Sequence, residues 1–120
     1  ILQESALISR AGVMTNQLSA AEARKLNLCM ALVTEPKILL LDEPAAGLSS
    51  AEQSFLSNQI GLLAQSGLSI LIVDHSMDFL LPLADRLICL NEGSIVAQGL
   101  PEEVLTNSKA LESYFGMPKS

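Results

Sequence analysis

Two short aliphatic runs, each closed by an acidic residue, constrain this chain more than any other feature: Lys37–Asp42, reading KILLLD, and Ser69–Asp74, reading SILIVD. Unbroken apolar runs this short fit strands buried on both faces, the habit of parallel sheets. Between them, Ser50–Gln65 predicts a helix, with Ser49 or Ser50 as its cap and Gly67 as its stop. A strand–helix–strand unit of this kind makes the fold α/β and puts both acidic strand ends at one edge of a sheet.

The flanking segments continue that alternation. Ser19-Ala20-Ala21-Glu22 fits a capping box and opens a helix running to about Val33, with Leu26, Cys29, Met30 and Val33 on one stripe and Pro36 as terminator. Gln3–Ser9 carries a weaker helical pattern stopped by Gly12. Met77–Ala84 predicts a short helix interrupted by Pro82. Arg86–Leu90 and Ser94–Gln98 flank Asn91-Glu92-Gly93, which has the composition of a hairpin turn. Pro101 starts a short helix, Glu102–Leu105, and a last helical stretch covers Ala110–Phe115.

Composition narrows the function classes. At 120 residues the chain is one domain or part of one. It is 49% apolar and only 3% aromatic, so aliphatic side chains make its core, and either its strands are covered on both faces or its surface meets a partner. A net charge of −6, with seven Lys and Arg of which only Arg24 and Lys25 are adjacent, argues against a face that wraps a nucleic-acid backbone. Cys29 and Cys89 sit inside apolar runs and read as core residues of a reduced protein, not as a disulfide or metal framework. No apolar run approaches the roughly 18 residues of a membrane helix, and no basic stretch precedes an apolar one as in a secretory leader. The chain opens on Ile1 rather than Met, so the expectation is that either a segment was removed or the chain is a piece of a longer protein.

Asp42-Glu43 stands where a parallel strand leaves its sheet, the edge at which α/β proteins place ligands. One carboxylate there can hold Mg²⁺ through water and the next can polarise an attacking water. A solvated strand end accounts for the same acids. His75, the only histidine, follows the second strand directly, where an imidazole can reach a terminal phosphate or a water, or merely cap the strand. Asp42, Glu43, Asp74, His75 and Asp78 together form an alternative metal set, although their spacing matches no zinc pattern. Ser19 and the amides after it can bind an anion or can simply cap their helix; Glu22 adds charge that opposes an anion. No glycine is followed by lysine, so the Gly-rich phosphate loop G-x-x-x-x-G-K-[ST] is absent from the sequence.

Four segments in this order resemble the second half of an ABC-transporter ATPase subunit, a partial P-loop NTPase sheet. LSAAEARKLNLCMAL resembles the signature helix, usually opened by L-S-G-G-Q; KILLLDEPAAGLSS resembles Walker B and the D-loop; SILIVDHSM resembles the switch-histidine segment. LADRLICLNEGSIVAQGLPEEVL is similar to the closing strand–turn–strand and helix, and the ending NSKALESYFG is nearest the branched-chain amino-acid importer branch. The resemblance implies that residues 1–36 end a helical signature subdomain and that residues 37–120 carry Walker B, the D-loop, the switch histidine and the C-terminal part. The Walker A strand is expected upstream of Ile1, leaving a gap in the sheet between the strand ending at Asp74 and the strand Arg86–Leu90.

Roles follow from the same resemblance. Asp42 coordinates Mg²⁺ through water, Glu43 acts as general base and His75 contacts the γ-phosphate of ATP. Ser19, Ala20, Ala21 and Glu22 meet ATP held by a second ATPase subunit, and Gly47, Leu48 and Ser49 form the D-loop between subunits. Membrane permease subunits are the other implied partners. The implied location is cytoplasmic, on the inner face of the cell membrane, with no insertion into it. Three positions depart from the pattern: Ala20 and Ala21 replace the signature glycines, Glu22 its glutamine, and Ser49 the D-loop aspartate. These departures favour a second reading, a degenerate docking module without catalysis; a third, a small Mg²⁺-dependent phosphohydrolase using Asp42, Glu43 and Asp78, needs no Walker A loop.

Overall fold

A computed structural model describes residue 12 and residues 15–115. The helical pattern at Gln3–Ser9 lies outside the described residues. The chain divides into two compact units, Ile1–Leu80 and Leu81–Ser120.

In the first unit a 3₁₀ turn at Thr15–Gln17 leads into helix α1, Ala20–Leu32, then strand β1, Ile38–Asp42, helix α2, Ser50–Gln65, strand β2, Ser69–Val73, and a single helical turn, α3, Met77–Leu80. Both long helices open with a full capping box, Ser19 with Glu22 and Ser49 with Glu52. The first helix stops at Leu32, before the left-handed Glu35 and Pro36. The Met77–Ala84 helix is shorter than its sequence pattern, because Pro82 cannot donate into a helical ladder.

Strands β1 and β2 pair in parallel, with Leu40 opposite Leu71 and Asp42 opposite Val73. Their burial alternates, which corrects the expectation of strands covered on both faces. Leu39 is buried and shares a hollow with Leu28 of α1 and Leu56 of α2. On the opposite face Leu40 stays 69% exposed and Leu71 55%, flanked by Ile38 and Val73. On α1 the stripe also divides: Cys29 is buried, whereas Met30 and Val33 face solvent. Lys25 of α1 lies over the Phe55 ring of α2 at 4.2 Å, a cation–π contact that joins the two helices above their apolar groove.

In the second unit strands β3, Leu87–Asn91, and β4, Ser94–Gly99, form an antiparallel hairpin. Glu92 and Gly93 both take positive φ, the geometry of a two-residue turn whose twist matches the flanking strands. The register shifts after Cys89, leaving Val96 as a bulge. Helix α4, Pro101–Leu105, starts on proline, and Glu103 accepts a hydrogen bond from the Leu100 N–H at 2.9 Å. Helix α5 covers Ser108–Phe115. Among the described residues of this unit, Leu87, Cys89, Val104 and Ala110 are buried, and burial pushes the pKa of the Cys89 thiol above its ordinary value.

Two two-stranded sheets, β1–β2 and β3–β4, are present among the described residues. A pair of strands leaves unpaired backbone along both edges, and here the β1–β2 pair adds a bare aliphatic face. Produced by itself, the 120-residue chain is therefore expected to self-associate, and replacing Leu40 and Leu71 by Lys should reduce that association. Sedimentation velocity decides the point: a stable wild-type monomer across a concentration series would contradict it.

Candidate functional site

The parallel register carries both strands to the same edge, and their exit loops become neighbours there. The ladder runs one bond past β1, the Glu43 N–H donating to the Val73 carbonyl at 2.6 Å. Glu43 then turns into left-handed backbone, φ 45°. For a residue with a Cβ that conformation costs about 1–2 kcal/mol, so neighbouring groups must over-determine it.

Two charged side chains of opposite sign do so. The Asp74 side chain is 1% exposed and accepts two backbone hydrogen bonds, from Ala45 N–H at 3.1 Å and from Ser76 N–H at 2.9 Å. The first ties the β1 exit to the β2 exit; the second closes a turn around His75. From α1, Arg24 donates through Nη1 to the Glu43 carbonyl at 2.8 Å and through Nη2 to the Ala46 carbonyl at 3.0 Å. Ala45 is buried beneath this framework.

Held in this way, Glu43 and His75 project beside each other. His75 Nδ1 stands 4.0 Å from Glu43 Oε1 and 3.9 Å from Asp74 Oδ1. The His75 side chain is 77% exposed and that of Glu43 57%, so both remain open to a ligand. Asp42, the last residue of β1, is exposed at the same edge. A single carboxylate there suits Mg²⁺, which keeps several waters and takes its remaining oxygens from a substrate phosphate.

The broader metal set is not assembled. Asp74 already spends both oxygens on backbone N–H groups, and no group of three or more His, Cys, Asp or Glu side chains is placed to hold a metal ion among the described residues. Asp42, Glu43 and Asp78, the set of the phosphohydrolase reading, do not form such a group among the described residues.

The second candidate cluster begins α1. Ser19 Oγ accepts from the Glu22 N–H at 3.1 Å, and the Glu22 carboxylate accepts from the Ser19 N–H at 2.9 Å. Ala20 and Ala21 are the first residues of the helix, with their N–H groups at its positive end. In the loop before α2, Gly47 sits at φ 75° with open space where a Cβ would lie. The Leu48 carbonyl accepts from Gln53 Nε2 at 3.1 Å, and Ser49 caps α2. Serine fills the capping role that aspartate would also serve at this position.

The structure brings Glu43 and His75 together beside Asp42, residues the sequence singles out, and adds two it does not, Arg24 and Asp74 in its holding role. Periodicity marks neither, since each acts through a tertiary hydrogen bond to backbone.

Residues 2–46 match the family described as ABC transporter. The chain is similar to the high-affinity branched-chain amino acid transport ATP-binding protein LivG of Salmonella typhimurium, 34% identical over 96% of this chain and 46% of that protein. It thus spans about half the length of the curated relatives it matches. Among solved structures it is similar to an ATP-binding cassette of an ABC transporter in its ADP conformation, with TM-score 0.85 and 30% identity over 97% of this chain and 47% of that one. It is also similar to cbiO1 from Clostridium perfringens, described as part of the ABC transporter complex cbiONQ, with TM-score 0.77 and 29% identity over 92% of this chain and 44% of that one.

Removing the Asp74 carboxylate leaves the Ala45 and Ser76 N–H groups without their acceptor. Asp74→Ala is expected to cost about 1–3 kcal/mol. Urea unfolding with an unchanged m-value measures it, and an unshifted midpoint would show that water replaces the carboxylate freely.

Proposed function

The chain is a homologue of ABC-transporter ATP-binding proteins over 96% of its length, and on that premise we propose that it supplies the hydrolytic carboxylate and switch histidine of an ATPase subunit that powers import of branched-chain amino acids or related solutes. The observation that carries this reading is the meeting of Glu43 and His75, 4.0 Å apart, at the shared exit of two parallel strands. An ATPase needs an acceptor to polarise water and a donor to the terminal phosphate at one sheet edge, and these two side chains are that pair.

Bound Mg-ATP brings the electrophilic γ-phosphoryl group and the neutralising charge of the metal. Asp42 would hold the Mg²⁺, whose charge offsets that of the phosphates. Glu43 orients the attacking water and draws on its proton. His75 turns Nδ1 towards Glu43 and Asp74, which leaves Nε2 for a γ-phosphate oxygen. Ser19 and the amides of Ala20 and Ala21 approach ATP held by a second ATPase subunit, and Gly47, Leu48 and Ser49 lie between the two subunits. Permease subunits anchor the assembly at the cytoplasmic face of the membrane. No helix of the described residues is itself long and apolar enough to cross one.

A docking role without catalysis draws on one observation. Ser19 Oγ and the Glu22 carboxylate are already engaged with each other's backbone, and Glu22 sets a negative charge where a phosphate would come.

Turnover by the intact subunit separates the two. Glu43→Gln should lower kcat for Mg-ATP by about 100-fold or more, with KM changed little. A wild-type subunit without turnover, whose Glu43→Gln variant transports normally, would establish the docking role. The 120-residue chain alone is expected to bind no Mg-ATP by titration calorimetry at up to about 1 mM, the upper end of ordinary KM values. Tight binding there would overturn the assignment of the phosphate loop to another segment.

A further inference from the structure

From α1, the Arg24 side chain hydrogen-bonds the exit loop of β1. It lies in the second turn of the helix that Ser19 caps, and its two terminal nitrogens reach two different carbonyls, Glu43 at 2.8 Å and Ala46 at 3.0 Å. Those carbonyls bracket a tight turn, since the Glu43 carbonyl also accepts the Ala46 N–H at 3.2 Å. The turn is the one that holds Glu43 at positive φ. A planar fork with donors on separate nitrogens suits two carbonyls at once; a lysine ammonium, a point charge on a flexible stem, reaches one or the other.

We infer that Arg24 is a positioning residue: it fixes the backbone of Glu43 and makes the angle of that carboxylate depend on where α1 sits. The inference rests on the hydrolytic reading of Glu43 and goes beyond it. Helix α1 starts at Ser19, the segment proposed to meet nucleotide on the second subunit, whereas Glu43 serves the nucleotide on its own. A shift of α1 on binding at its N-terminus moves the Arg24 guanidinium, and through two hydrogen bonds it moves the turn that carries Glu43. Arg24 therefore links occupancy at one composite site with hydrolysis at the other. By linkage, the arrangement of the Glu43 turn feeds back on nucleotide affinity at the α1 N-terminus.

Asp74 holds the same turn through the Ala45 N–H but does not reach α1, because its hydrogen bonds join the two strand exits. The two residues thus separate by experiment. Loss of Asp74 loosens the turn; loss of Arg24 loosens it and uncouples it from α1.

The test uses the intact subunit with Arg24→Ala and Arg24→Lys. In Arg24→Ala, kcat for ATP should fall about 10- to 100-fold, the penalty of a misplaced catalytic group, while KM changes less than about threefold. The Hill coefficient for ATP should drop towards one, and added guanidinium ion should restore part of kcat. Arg24→Lys should keep the fold and recover only part of the turnover. Hydrogen exchange supplies a readout independent of catalysis: the amides of residues 43–48 should exchange faster in Arg24→Ala, with those of α2 and β2 unchanged. Unchanged exchange in that loop, or unchanged kcat and Hill coefficient in a subunit that turns over, would overturn the inference. A kcat loss accompanied by faster exchange throughout the chain would overturn it too, marking a merely structural arginine. If the wild-type subunit lacks ATP turnover, the hydrolytic reading of Glu43 fails and the coupling role fails with it, while loop exchange still shows whether the clamp exists.

Discussion

In a parallel pair both strands run out of the sheet at the same edge, so the residues that follow them are brought together whatever their separation in sequence. The β1–β2 register sets that edge here by placing Asp42 opposite Val73 and extending the ladder to the Glu43 N–H. A shift of one residue would invert every side chain of β1. Leu39 would leave the hollow it shares with Leu28 and Leu56, and Asp42 would turn to the other face. Apolar packing on one side of β1 thereby fixes the aim of an acidic group at its end.

Register alone does not aim Glu43, which sits past the last strand residue in a backbone conformation unfavourable for a side chain with a Cβ. A buried anion and a cation from another element take up that task. The Asp74 carboxylate satisfies the N–H at the centre of the turn, and the Arg24 guanidinium satisfies the carbonyls on either side of it. Hydrogen bonds to ionised groups are each worth about 1.5–3 kcal/mol when shielded and less where solvent competes, as around Arg24. Together they exceed the conformational cost of Glu43, and a small set of bonds suffices to hold it.

These facts also explain what was legible in the sequence. Element types, caps and the hairpin turn are local: Ser19 with Glu22 and the Asn91-Glu92-Gly93 turn announce themselves within a few residues, whereas the cap of α2 reads as Ser49 or Ser50 until the structure places it at Ser49. The strand ends carrying Asp42, Glu43 and His75 were legible as strand ends, because a short aliphatic run closed by an acid marks where a buried strand stops. Burial was less legible. An unbroken aliphatic run says that both faces of a strand are apolar, not that both are covered, and Leu40 and Leu71 lie on the open face. Arg24 was illegible because its partners are backbone carbonyls, which every sequence has at every position.

The alanines at the start of α1 show how a helix terminus trades approach for order. Glycine at the first helical positions would let a phosphate come closer to the amides, because no methyl group stands beside them. It would also cost roughly 1 kcal/mol per residue in helix stability relative to alanine in a helix interior, and less at its first turn. Ala20 and Ala21 accept the bulk and firm the first turn, which the Ser19–Glu22 capping box firms again. A stiff first turn is what a lever requires. Arg24 lies just beyond it, so a displacement at Ser19 reaches the guanidinium with little lost to fraying. The substitutions that weaken direct contact with an anion at this terminus are those that best preserve its mechanical connection to the turn carrying Glu43.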